Sequence, residues 1–392
     1  MSLDEKRVTD QTPVHDPAEL AKMVSGANLV TEQMVLNVGP QHPATHGVFR
    51  LLATIDGEVL VDAQPIIGYM HRGYEKLVEA RDYRQITNLV SRMDWLSGIN
   101  NELPMHLCLE ELMEIEVPER AQYLRVVMCE MNRILNHLMF FASFGAELGA
   151  ITPTFYAFRE REDIQFAMEM ATGGRMHFGF FRPGGIREDV PKGFFAQALK
   201  GVRQVMARLN QYEDLLVGNE IFKQRTIDIG HLDKEIAYNY GVSGPIARGS
   251  DIGFDVRKDE PYLVYDRFDF NVVSAPNGDC FDRFWVLIHE VVESAKIVEQ
   301  AIEDMPSGPI MGKVPRVIQA PEGEVYVRTE NPLGELGMYL ISDGDRRPYR
   351  LKIRTPSYNN VSVLPHVLKG QMVADMIAIL GSFFFVLGDI DR

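Results

Sequence analysis

The sequence predicts an α+β fold: a central bundle of long helices flanked by small antiparallel sheets near the N- and C-terminal parts. Three observations predict it. From Pro118 to about Leu148, apolar side chains recur at i, i+3, i+4 and i+7 over more turns than a helix coating a sheet requires. The pair Asp56-Gly57 separates two β-rich runs, a strong hairpin signal. A second pair, Asp343-Gly344, does the same near the C-terminus. No internal repeat or low-complexity linker divides the chain.

Residues 1–30 read as a polar N-terminal arm without an apolar signal core, so export is not expected. Residues 31–392 read as one domain. Its β region spans 31–70, with strands at Phe49–Ile55 and Glu58–Val61. Residues 73–305 form the helical bundle. The first helical pattern runs from Gly73 to about Asn101. The Pro118 helix presents Leu124, Val127, Met128, Met131, Leu135 and Leu138 on one face. Further helices follow after Pro153 to Met170, from Asp189 to Asn219, and from Asp282 to Glu303. Residues 225–275, rich in Gly, Asp and aromatics, read as an irregular or β-containing insert. Residues 320–392 hold strands at Val325–Thr329, Gly337–Ser342 and Pro348–Thr355, the last two as a hairpin. One C-terminal helix, Met372–Gly388, follows. It contains Asp375 and falls short of the roughly 20 apolar residues of a membrane span, so a buried helix is expected.

Composition narrows the function. Lys and Arg total 40 and Asp and Glu 55, a net charge of −15, which argues against nucleic acid or an anionic membrane surface as the main partner. Cys108, Cys129 and Cys280 form no CxxC pair, so this chain alone cannot hold a typical iron–sulfur cluster. Gly308–Val314 is one residue short of a phosphate loop, and Val replaces its Ser/Thr. His289-Glu290 starts like a zinc-protease helix but lacks the second His, and reads as an exposed helix face. No GxGxxG follows a strand, and there is no Gly-x-Ser-x-Gly elbow.

What remains is the nonapeptide from Gly39 to Gly47, with His42 and His46 between two prolines and two glycines. Pro fixes φ and Gly permits positive φ, so such a loop is stiff and aims its imidazoles. On these residues alone, two solvated histidines in a tight turn remain the simpler reading.

The segments LNVGPQHPATHGVFRL (36–51), IGYMHRGYEKL (67–77), SRMDW (91–95), LGAITPTFYAFRERE (148–162), GGRMHF (173–178), GEVYVRTENPLGELG (323–337), and MVADMIAILGS with GDIDR (372–392) shift that balance. Together they resemble the D-type, 49-kDa-type subunits of proton-pumping NADH:quinone oxidoreductase, respiratory complex I. The resemblance covers most of the chain in the family's order. That family is in turn similar in fold to the large subunit of nickel–iron hydrogenases. The hydrogenase cysteine pairs fall near Arg92–Ser97 and Gly388–Arg392, where this chain has no cysteine. Soft metal ligation needs those thiolates. The resemblance therefore implies a hydrogenase-like scaffold whose metal site has become an organic-substrate cavity.

It further implies a quinone, ubiquinone or menaquinone, as substrate and no cofactor held by this chain. The electrons come from an iron–sulfur cluster in the neighbouring B-type subunit. The C-type and I-type subunits and the H-type membrane subunit are the other implied partners. The implied place is peripheral, on the cytoplasmic side of the cell membrane. Nothing in the chain distinguishes NADH from ferredoxin or another donor.

Residue by residue, His46 matches the headgroup-contacting histidine, and His42 takes a supporting role. Family members pair the headgroup histidine with an Asp; here the position is Glu147. A carboxylate there opposes the helix dipole, which speaks against a purely structural role. Trp95 stands where the family has Tyr, and an indole N–H donates a hydrogen bond but no usable proton. The proton would then come from His46, water, Tyr69 or Tyr156. Arg92 and His177 match residues near the partner's cluster. A non-catalytic structural adaptor of a related redox complex is the alternative reading, supported by Trp95 and Glu147.

Overall fold

The computed structural model describes residues 32–392; residues 1–31, including the arm expected at 1–30, lie outside the described part. The α+β class is as expected. Strands β1 (Gln33–Val38), β2 (Arg50–Asp56) and β3 (Val59–Ile66) form an antiparallel sheet in that order. In β2, Leu51, Ala53 and Ile55 are buried and their neighbours are not, the period-two signature of a half-buried strand. The outer edge of β3 is tied to the C-terminal segment: Leu60 N–H donates to Gln371 O at 2.8 Å, and Gly370 N–H to Leu60 O at 2.7 Å. Segments from the two ends of the described chain therefore meet.

The pattern from Gly73 onward breaks into α1 (Tyr74–Val78), α2 (Tyr83–Val90) and α3 (Gly98–Leu112). Asp82 starts α2 with a capping box to Gln85. Contrary to the expected stop near Asn101, α3 runs on through Pro104. The lost backbone bond is outweighed by burial of Leu103, Met105, Cys108 and Leu109.

Helix α4 (Glu119–Glu147) lies at the centre, packed against α5 (Thr152–Thr172), α6 (Phe194–Tyr212) and, farther along, a long helix of residues 280–303. Its expected apolar face is buried throughout. Helix α5 starts one residue before Pro153, because a first-turn proline gives up no helical N–H bond. Helix α6 starts later than expected, after Pro191 and Gly193. Strands β4 (Phe181–Arg182) and β5 (Gly185–Ile186) form a small hairpin between them.

Residues 225–275 contain no strand. Short helices α8 (Lys234–Asn239), α9 (Gly244–Arg248) and α10 (Val256–Asp259) follow α7 (Glu220–Gln224), and helix α11 is Cys280–Glu303. Charge pairs, not a ladder, hold this insert. Arg248 Nε donates to Glu290 Oε1 at 2.7 Å and Arg248 Nη1 to Glu330 Oε1 at 2.8 Å. Arg257 bonds Asp255 at 2.7 Å and Glu130 at 3.0 Å. His137 Nε2 lies 2.9 Å from Glu290 Oε2. Burial raises the Glu290 carboxyl, but Arg248 and His137 outweigh it and hold the group down to about 2. His289-Glu290 is thus no exposed face: Glu290 is 2% exposed. Its charge reads as a surface residue only until Arg248, 42 positions away, is brought beside it.

The C-terminal sheet has three strands, β6 (Gly323–Asn331), β7 (Gly334–Ser342) and β8 (Arg350–Arg354). Beyond the expected β7–β8 pairing, β6 and β7 form a second hairpin around Pro332-Leu333. After α12 (Pro356–Ser362) and α13 (Leu364–Leu368), the single expected C-terminal helix is two: α14 (Val373–Ser382) and α15 (Leu387–Asp391). Phe384 takes φ 46° between them. The break turns Phe384 onto Phe140 and Phe144, and Phe385 onto Phe49, with centroids 5.0 to 5.9 Å apart. Aromatic packing in the core ends the helix.

Candidate functional site

The loop between β1 and β2 is built to aim one imidazole. At Gly39, φ is +80° and an added Cβ would lie 2.1 Å from Phe49 O, so no other residue fits. Pro43–Thr45 make one tight helical turn. His42 caps it, its Nδ1 accepting from Ala44 N–H at 3.2 Å. That bond leaves the proton of a neutral ring on Nε2. The Thr45 hydroxyl, fully buried, donates to His42 O at 2.7 Å. His46 ends the turn with φ 47°, and its ring turns inward. His42 itself is exposed and braces the turn.

His46 Nε2 lies 3.3 Å from Glu147 Oε1, the side chains being 10% and 11% exposed. The two residues are therefore brought together, with the last residue of α4 reaching the β1–β2 loop. Phe385 packs on the His46 ring, centroids 4.8 Å apart, and Phe140 lies at 6.5 Å. Burial pushes the His46 imidazole down to about 4 and the Glu147 carboxyl up to about 8. At neutral pH the imidazole is neutral and the proton rests on Glu147. The sequence points to His46 as the titratable donor; burial favours the proton on its partner, Glu147. Among the described residues, His46 Nε2 and Glu147 Oε2 are buried without an aligned hydrogen bond.

Gly381, on α14, makes room for the longer carboxylate. A Cβ there would lie 2.1 Å from Glu147 Oε2 and 2.9 Å from Phe144. Gly381→Ala is expected to displace Glu147 from His46 and lower stability by about 1–3 kcal/mol. Infrared titration of the carboxyl, together with a thermal melt, checks this: the titration near 8 should be lost.

The other expected residues cluster elsewhere. Trp95 is 39% exposed and lines a shallow recess with Leu96, Arg161, Arg175 and Met176. His177 Nδ1 lies 3.3 Å from Ser91 O. Burial, then the Arg92 charge, lowers the His177 pKa. Arg92 is exposed and donates to Asn88 O at 2.8 Å. Thus Arg92, Trp95 and His177 share the 91–98 turn and its neighbour 176–178, while His46 and Glu147 form a separate pair. The Tyr69 hydroxyl accepts from Arg50 at 3.1 Å, and Tyr156 lies beneath the Arg159 guanidinium. Sequence reading missed Phe385 and Gly381, because both lie in a stretch that reads as plain core helix.

Cys108, Cys129 and Cys280 are buried free thiols. Among the described residues, no group of three or more His, Cys, Asp or Glu side chains is placed to hold a metal ion. Among the same residues, no helix is long and apolar enough to cross a membrane.

Residues 147–392 match the family described as respiratory-chain NADH dehydrogenase, 49 Kd subunit. The chain is 50% identical over 393 residues to the D 2 subunit of NADH-quinone oxidoreductase from Streptomyces griseus, covering 97% of this chain and 100% of that protein. It is 51% identical over 374 residues to the D 1 subunit of the Streptomyces coelicolor oxidoreductase, covering 94% and 97%. It is 49% identical over 364 residues to the D subunit of NADH-quinone oxidoreductase from Geobacillus kaustophilus, covering 93% and 99%.

Proposed function

Because the chain belongs to the family of the 49-kDa subunit of respiratory-chain NADH dehydrogenase, we propose that it forms the quinone-headgroup side of a complex-I-type NADH:quinone oxidoreductase. The observation that carries this is the buried His46–Glu147 pair, which holds a proton at neutral pH. Quinone reduction takes two electrons and two protons. The electrons enter from an iron–sulfur cluster in a neighbouring subunit. Glu147 supplies a proton by way of His46: the neutral ring accepts it at Nε2 and gives its Nδ1 proton to a quinone oxygen. Phe385 and Phe140 keep water from the imidazole and fix its plane.

Trp95 stacks on or donates its indole N–H to the headgroup and moves no proton. Arg92, as a fixed cation, raises the potential of the neighbouring cluster, and His177 answers to its redox state. The B-, C-, I- and H-type subunits are the proposed partners, on the cytoplasmic side of the membrane, with reduction linked to proton translocation.

Trp95→Ala is expected to weaken quinone-analogue binding about tenfold, the loss of one aromatic contact. A spectroscopic titration of the assembled complex checks it. Wild-type affinity in the variant would remove Trp95 from the site. Failure of the wild-type complex to bind any analogue, with the cluster signal intact, would favour the adaptor reading that Trp95 and Glu147 support.

A further inference from the structure

Asp94 and Asp389 lie where the C-terminal segment meets the 91–98 turn. Gly388 packs so closely on this turn that a Cβ would stand 2.4 Å from Met93 O. The aspartates that follow Met93 and Gly388 are both buried, 1% and 0% exposed, and the Asp94 charge acts on Asp389. Each is held by one oxygen. Leu96 N–H donates to Asp94 Oδ1 at 2.8 Å, and Ser357 N–H to Asp389 Oδ2 at 3.0 Å. The other oxygens, Asp94 Oδ2 and Asp389 Oδ1, are buried with no hydrogen-bond partner among the described residues.

We propose that Asp94 and Asp389 form a one-proton carboxylate pair, a second buried proton-holding site directly behind Trp95. Two buried carboxylates that feel each other's charge resist ionising together, and one proton on either relieves that clash. The surrounding groups fit that state. The Ser97 hydroxyl faces Asp94; Ser357 and Arg392 face Asp389. The Arg392 guanidinium is engaged by Ile353 O at 2.7 Å, by the Tyr358 ring and by Glu75 at 3.9 Å, so it is not committed to Asp389. Burial is the main cause raising both groups, Asp94 to about 6 and Asp389 to about 7. The Asp94 charge adds to the rise at Asp389.

The use of this proton rests on the quinone reading; its existence does not. On reduction, the O–H bond of the pair breaks and an O–H bond forms on the quinone oxygen on the Trp95 side. The electrons come from the partner's iron–sulfur cluster. Water reprotonates the pair as that proton leaves, so the two carboxylates do not stay ionised together. This supplies the second proton that an indole cannot give.

Infrared spectra of the assembled complex, with carboxyl-isotope-labelled aspartate, test the pair apart from Glu147. A protonated aspartate band at neutral pH is expected, shifted or lost in both Asp94→Asn and Asp389→Asn. No such band in the wild type, or a band unchanged in both variants, overturns the pair, and the wild-type spectrum decides even if a variant fails to assemble. In assembled variants that still bind a quinone analogue, quinone reduction should fall about tenfold or more. Unchanged turnover overturns the delivery role. If the wild-type complex binds no analogue, the quinone reading falls while the infrared band still decides the pair.

Discussion

Replacing His46 by Ala is expected to lower quinone reduction by about 10²–10⁴-fold in a complex that still assembles and shows its cluster signals. That is the range a positioned acid–base group contributes. The ring lies 3.3 Å from the protonated Glu147 carboxyl. Without it, the proton has no imidazole to leave by. The cavity left between Phe385 and Phe140 would destabilise the loop modestly, since His46 is one side chain at the rim of the core. Glu147→Gln separates proton supply from packing. Gln keeps the length and a donor but holds no acidic proton. It should therefore reproduce the loss of turnover while keeping analogue affinity. Stability shows the opposite pH sign from a salt bridge. Glu147 is raised in the folded chain from an ordinary value of 4.5 to about 8. Its neutral form is favoured by folding, so its contribution to stability falls as pH rises from about 4.5 through 8; the lowered His46 opposes this up to about 6.5, so Glu147→Gln should flatten the fall above about 6.5. Steady-state kinetics against a quinone, and melts across pH, measure both. Unchanged turnover in the His46→Ala complex would end the proton role.

Arg248→Ala is expected to be the most damaging change outside the site. Arg248 is fully buried, bonded to Glu290 and Glu330, with Asp255 at 3.7 Å. Removing it leaves uncompensated carboxylates in the core, a loss of about 3–5 kcal/mol. That is a large share of the roughly 5–15 kcal/mol stabilising a typical domain. The expected result is poor incorporation into the complex, read as the yield of assembled chain and a lowered melting temperature. An exposed pair gives the contrast: Arg203, 66% exposed and bonded to Glu299, should change stability by less than about 0.5 kcal/mol when replaced by Ala. Equal effects at the two positions would contradict the assigned role of the buried network.

The helices were legible where periodicity and caps agree. Helix α4 shows its apolar spacing and its Pro118 start in the sequence itself. The hairpin at Asp56-Gly57 is legible for the same local reason. Legibility fails where long-range contacts decide. Glu290 reads as surface because its partners lie at positions 137 and 248. The C-terminal helix reads as continuous because only the rings of Phe49, Phe140 and Phe144 explain why Phe384 and Phe385 leave it. At the site, His46 and Glu147 were named from motif position and are brought together by the fold. The placement of the proton on Glu147, and the space that Gly381 leaves for it, depend on burial that no local pattern encodes.

The most direct measurement is photoaffinity labelling of the assembled complex with a short-tailed quinone carrying a photoreactive headgroup, followed by peptide mapping. If this chain lines the headgroup site, label falls on the peptide containing His46, on the peptide containing Trp95, or on both, and excess unlabelled quinone suppresses it. Label confined to the other subunits, or label on this chain that excess quinone does not suppress, would contradict that role.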